Sequence, residues 1–247
     1  AYSMGQLKGI PEKFAAAETA LATPEWLKAN IQGDTTYRRI YPTPIAAMEG
    51  DTPTYLGLIP NGLNDMEHPD WGSWGGRYAL KLPDKYPPFV KKEKYPLWTD
   101  TEDTYTGKNG RTVTNNVCTI YRWREAVQND FAARMAWTDT ASYGNAVHPP
   151  IVKMNTPLEI IVKPGELCTL SAEESQNPDG GALKFHWFNY KEAGTYTQEI
   201  ACEPSAGAKT QFTAPTQPCT LHFVVEVSGD GQLAMTRYGR VIVHVGQ

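Results

Sequence analysis

The chain has 247 residues, 40% hydrophobic and 20% charged, with a net charge of −4, which supplies the core of one large domain or two ordinary ones and excludes disorder as its dominant state. The acidic balance argues against a nucleic-acid backbone or an anionic membrane as main partner, and the only basic cluster, Lys91-Lys92-Glu93-Lys94, is short, interrupted and reads as solvated surface. No apolar run reaches the roughly 20 residues that span a bilayer.

The chain opens Ala1-Tyr2-Ser3-Met4, without an initiator methionine or a signal-peptide pattern, and the start is expected to be a processed or cut end. Residues 11–21, rich in alanine, predict a first helix. A second has a clear start signal, with Thr23 as N-cap, Pro24 at the first helical position and Glu25 behind it, and runs to about Ile31. The apolar run 54–59 reads as a short buried strand. Residues 78–112, rich in Pro, Tyr, Lys and Asp, read as a long irregular excursion, and 113–121 as extended. Residues 122–137 predict the strongest helix, with Val127, Phe131 and Met135 four apart and Ala132 and Ala136 alongside.

A boundary is expected at His148-Pro149-Pro150, giving domains over 1–148 and 149–247. Beyond it, strands are predicted at 158–162, 167–171, 183–190, 210–213, 221–227 and 237–245, with turns at Pro164-Gly165 and at 177–181. Short strands at this spacing, with Trp187 on the third, predict an immunoglobulin-like sandwich. Four cysteines, Cys118, Cys168, Cys202 and Cys219, show no zinc or redox spacing. Cys202 and Cys219 either bridge in an oxidising compartment or stay buried thiols, and the sequence leaves both open.

The chemistry concentrates in residues 61–77, where Asn61, Asn64, Asp65, Glu67, His68, Trp71, Trp74 and Arg77 lie among four glycines. Acids and amides suit sugar hydroxyls or a hard cation, indole faces suit sugar rings, and glycine lets the backbone approach a ligand. A loop at the exit of a strand is also where α/β folds bind ligands. Gly-x-Ser-x-Gly, a phosphate-binding glycine loop and His-Glu-x-x-His are all absent.

Four stretches carry a family resemblance: EGDTPTYLGLIPNGLNDMEHPDWGSWGGRY (49–78), IYRWREAVQNDFAARMAWT (120–138), NAVHPP (145–150) and PGELCTLSAEESQNPDGGALKFHWFNY (164–190). They resemble bacterial cellulose-binding proteins in which a nucleoside-hydrolase-like domain precedes an immunoglobulin- or cadherin-like one. The resemblance implies the C-terminal part of that α/β domain followed by an all-β sandwich. The Asp-x-Asp-x-x-x-Asp-Asp motif that holds calcium in nucleoside hydrolases has no counterpart here, since Asp100, Glu102 and Asp103 are spaced differently. A missing N-terminal half, on a second chain or cleaved away, is therefore expected.

The resemblance further implies a carbohydrate or nucleoside-like ligand, a secreted or periplasmic location, and calcium-assisted hydrolysis of a glycosidic bond. Asp130 stands where the family places a late metal ligand and would serve as catalytic and metal-binding residue, with Asn129 replacing a histidine. Asn64, Asp65 and Glu67 either grip sugar hydroxyls or close the loop by Asx turns. His68 is an acid–base candidate or a carbonyl-bonded ring. One of Trp71 and Trp74 is expected to stack on a sugar, while Arg77 is expected to pair with a loop acid. Trp123, Trp137 and Trp187 read as core, and Asp179 as a turn residue or part of a cadherin-like calcium site. Three classes of function remain: a hydrolase, a non-catalytic polysaccharide binder and a structural spacer.

Overall fold

The computed structural model describes residues 18, 20–42, 55–81, 97–140 and 142–246. Most of the first predicted helix (11–17 and 19) lies outside them. Contacts divide the chain into two units: 1–22, 45–59 and 64–124 in the first, and 23–44, 60–63 and 125–247 in the second. The expected boundary at 148–150 falls inside the second unit.

In the first unit, the expected irregular excursion contains hairpin strands. β1 (Tyr78–Lys81) pairs antiparallel with β2 (Leu97–Asp100), and β3 (Asp103–Thr106) with β4 (Thr112–Asn115). Cross-strand threonine pairs explain the second hairpin: the Thr104 and Thr114 hydroxyls lie 2.9 Å apart, and those of Thr106 and Thr112 2.8 Å. Extended structure stops at Asn115. Its side-chain oxygen accepts from the Val117 N–H, and Cys118–Tyr121 then forms a helical turn, α3, in place of the expected strand. Val113, Cys118 and Tyr121 form a small core there.

The predicted strand at 54–59 is also corrected. Residues 55 and 56 are helical, and turns close by Leu58 N–H to Tyr55 O (2.9 Å) and Ile59 N–H to Leu56 O (3.4 Å). Leu56 is buried, but Tyr55 and Leu58 are exposed. Among the described residues, no strand pairs with the run 55–59. Instead its Leu56 and Ile59 carbonyls accept from the Asn64 side-chain amide at 2.8 and 2.7 Å.

In the second unit α1 (Pro24–Asn30) forms as its signals predict, the Thr23 hydroxyl accepting from the Trp26 N–H at 3.2 Å. A second short helix, α2, spans Thr36–Ile40. The long helix is α4 (Arg124–Trp137). Its buried positions are Arg124, Ala126, Val127, Gln128, Asp130, Ala132 and Ala133, whereas Phe131 is half-buried and packs at a tilt on Tyr41, with ring centroids 5.7 Å apart.

The rest of this unit is β structure. β5 (Glu159–Val162), β10 (Thr236–Val245), β9 (Cys219–Gly229) and β7 (Leu183–Asn189) form one sheet in the spatial order β5-β10-β9-β7. β5 runs parallel to β10, and the other pairs are antiparallel. β6 (Leu167–Ser171) and β8 (Lys209–Thr213) make a second, two-stranded sheet. Alternation along the strands sends Cys168, Leu170 and Phe212 of one layer, and Trp187, Phe223, Val225, Val241 and Val243 of the other, into one apolar core. Phe212 and Phe223 meet with ring centroids 4.1 Å apart. Trp187 is buried as expected and spends its ring N–H on the Gly207 carbonyl (3.0 Å). All four cysteines are free thiols, and burial pushes the Cys202 thiol up to about 12.

Candidate functional site

The 61–77 stretch is held by its own amides. Asn61 is buried. Its side-chain oxygen accepts from the Leu63 N–H (2.9 Å) and its carbonyl from the Tyr238 N–H of β10 (2.8 Å). Gly62 has φ +86°, and a Cβ there would lie 2.1 Å from the Tyr238 carbonyl oxygen, so only glycine fits. Asn64 ties three backbone groups together: besides its two carbonyl contacts, it accepts from the Trp74 N–H at 3.0 Å. Asp65 closes an Asx turn onto the Glu67 N–H (2.9 Å). Asn61, Asn64 and Asp65 therefore act on the loop's own backbone.

The two loop tryptophans separate. Trp74 is fully buried, so its indole packs the first unit and offers no face to a sugar. Trp71 is half-buried at the end of a short 3₁₀ turn, Pro69–Trp71. The exposed His68 ring lies flat on it, with centroids 3.8 Å apart and planes at 5°. Glu67 and Asp70 stand exposed beside this stack. Arg77 pairs with an acid as expected, but the acid is Asp103 of β3, at 2.7 Å. It also donates to the Glu102 carbonyl, and Arg122 holds the other Asp103 oxygen at 2.9 Å.

Asp130 sits in the second unit, on α4, with its side chain 3% exposed. Arg134 takes one carboxylate oxygen at 2.5 Å and Arg237 of β10 takes the other at 2.9 Å. Asn129, beside it, is half-buried. Two guanidinium groups on one carboxylate do not fit a calcium ligand, because a cation there would meet two positive charges. Among the described residues, no three His, Cys, Asp or Glu side chains gather closely enough to hold a metal ion.

A second buried anion escaped the sequence reading. Glu18 accepts from the Tyr105 hydroxyl (2.8 Å), the Lys108 N–H (2.9 Å) and the Arg124 guanidinium. Burial alone would push its carboxyl up, but these three donors outweigh burial and hold it below the usual range. Arg124 also lies over the Tyr121 ring, 3.6 Å from its centroid. Sequence offers no signal for this cluster, whose members lie up to 106 positions apart.

In the second unit a cleft of about 550 Å³ opens between segments 143–148, 177–181 and 229–235. Asp179 lines it and bonds His148 twice, at 2.7 Å to Nδ1 and 2.8 Å to the backbone N–H. Tyr143 stacks on the other part of this wall, its ring 3.6 Å from that of His148. Burial raises the Asp179 carboxyl and the His148 contacts lower it further, leaving it below its ordinary value.

Taken by its architecture, the chain joins a segment of mixed turns and hairpins to a two-layer β unit. Comparison with known proteins names this class. Residues 2–78 match the nucleoside hydrolase-like domain of cellulose-binding Sde182, and residues 167–245 match the C-terminal domain of cellulose-binding protein Sde0182. Both domain models thus match the chain, the nucleoside hydrolase-like one ahead of the C-terminal one. A solved structure similar to it is a nucleoside hydrolase-related hypothetical protein from Saccharophagus degradans that is associated with carbohydrate metabolism, with 24% sequence identity and a TM-score of 0.73. That alignment covers 98% of this chain but 60% of the other, so the chain spans well under two thirds of that protein. At this identity the likeness shows the fold alone. No curated protein matches the chain.

Proposed function

We propose that this chain binds carbohydrate, cellulose in the first instance, without cleaving it. The observation that carries the reading is the His68–Trp71 stack, a flat aromatic surface on a loop whose backbone is fixed by Asn64 and Asp65 and whose rim carries Glu67 and Asp70. Stacked rings offer C–H-rich sugar faces an apolar surface, and flanking carboxylates accept from sugar hydroxyls. The matches to two domains of cellulose-binding proteins agree with this chemistry. A polymer ligand also implies work outside the cytoplasm, in the periplasm or beyond. We read the β unit as an immunoglobulin-like sandwich, supported by its two layers and the buried Trp187 between them.

The test is retention on microcrystalline cellulose. Trp71→Ala and, because His68 is exposed and dispensable for packing, His68→Ala should each weaken retention about tenfold, the loss expected when one stacking contact of about 1.4 kcal/mol goes. Retention equal to the parent in both variants refutes the reading.

A calcium-assisted hydrolase is the second reading, favoured by the nucleoside hydrolase-like match over 2–78. Asp130 as held here does not fit the metal, so no hydrolytic step is assigned to it. Nucleoside and aryl-glycoside cleavage by the purified chain with added calcium, abolished in Asp130→Asn, would restore that reading.

A further inference from the structure

The cleft in the second unit has no part in the site just described. Its wall is built before any ligand arrives. Trp137 donates its ring N–H to the Val147 carbonyl (2.7 Å), and its indole lies roughly parallel to His148, with centroids 6.2 Å apart. His148 is then fixed by Asp179, and Asp179 by the Asn177 side-chain oxygen, which accepts its N–H at 3.0 Å. Tyr143, 69% exposed, caps the stack. Asp230, in the β9–β10 connection, also lines the cleft.

Gly181 forms the floor and lets Asp230 pack against it. A Cβ at that position would lie 2.5 Å from Asp230 Oδ1 and 3.2 Å from Asn177 Nδ2, so any larger residue would push the carboxylate out of place. A fixed ring stack, an amide and two carboxylates thus face a cavity of about 550 Å³, within the range of about 300–1,000 Å³ typical of small-ligand sites.

The lining selects the ligand. It contains Asn145, Asn177 and Gln232 as amides, Asp179 and Asp230 as acids, and no lysine or arginine. An anion would meet two carboxylates and no lysine or arginine, and His148, Asp179 and Asp230 do not gather closely enough to hold a metal ion. Neutral hydroxyls satisfy the set: they donate to Asp230 and accept from Asn177, and a pyranose ring has the apolar face that an exposed tyrosine can cover.

We infer that this cleft is a second saccharide subsite, formed by Tyr143, His148, Asn177, Asp179, Gly181 and Asp230, which takes a neutral sugar residue of an oligosaccharide. The inference rests on the carbohydrate reading above but uses none of its residues.

Backbone amide NMR shifts on titration with cellopentaose test it, because they report the two places separately. Amides of 143–148, 177–181 and 229–235 should shift in the parent and in Trp71→Ala alike. Tyr143→Ala and Asp230→Asn, both at exposed positions, should raise the Kd for those shifts about tenfold each, the effect of losing one stacking or charge-assisted contact. Gly181→Val should abolish them by pushing the Asp230 carboxylate out of place. Shifts confined to 64–77 overturn the inference and leave the Trp71 reading standing, while shifts confined to the cleft do the reverse. No shift at either place overturns both.

Discussion

Replacing Asp130 by asparagine tests whether this residue is a structural anion or a site residue. The substitution keeps the shape and one acceptor oxygen but removes the charge that two arginines share. Arg134 is 41% exposed and recovers water, so its lost pair, an i,i+4 contact at the surface, costs about 0.5 kcal/mol. Arg237 is 11% exposed, and it also donates to the Thr236 carbonyl at 2.7 Å. A buried guanidinium deprived of its carboxylate costs about 3 kcal/mol. The sum, about 3.5 kcal/mol, should appear as a lowered urea midpoint in tryptophan fluorescence. Arg237→Met should cost less than this, since it removes the charge that would be stranded, and the double variant should show a coupling of about 2 kcal/mol. Asp130→Asn within about 0.5 kcal/mol of the parent, with no coupling to position 237, refutes the clamp.

Three further outcomes follow from the same structure. Asn64→Ala removes three side-chain hydrogen bonds to backbone and should cost about 3 kcal/mol by urea unfolding; an effect under about 1 kcal/mol contradicts its role as the loop's tie. Gly62→Ala should lower stability by at least about 2 kcal/mol, combining a left-handed φ with collision against the Tyr238 carbonyl, and a parent-like melting temperature would be inconsistent with that approach. The Glu18 carboxyl is held below the ordinary glutamate value of 4.5, so the unfolded chain binds its proton first on acidification. The stability it contributes is complete above pH 4.5 and is lost as pH falls through the lower folded value. Urea midpoints taken from pH 7 down to pH 3 should fall less steeply in Glu18→Gln, and identical slopes would count against the cluster.

Sequence patterning foretold the β unit because its strands alternate cleanly and its turns are marked by glycine and proline. Leu167–Ser171 appears as expected, and the remaining strands differ by a residue or two at their ends. It failed at 54–59, where an apolar run of six has no period that separates strand from turn, and the deciding partner, Asn64, lies beyond the window. In 122–137 the period was right but the stripe was rotated: ion pairing with Arg237, 107 residues away, turns Asp130 inward and leaves Phe131 half-buried. Of the candidate site, the composition of 61–77 was legible, but which tryptophan faced outward was not, because burial of Trp74 depends on distant packing. The cleft at 143–148, 177–181 and 229–235 was invisible apart from Asp179, since its walls come from three connections that no local pattern relates.

The placement of β10 bears on how the protein is made. It follows both of its neighbours in the chain, yet it occupies an interior position between them, with β5 on one side and β9 on the other. Among the described residues β5 pairs with β10 alone, so it waits about 75 residues of synthesis for its partner, and this layer closes only once β10 has emerged. A nascent chain arrested before Thr236 would carry the hairpin of β7 and β9 beside an orphaned first strand, exposing the valines that β10 otherwise covers to chaperones and to neighbouring polysomes alike.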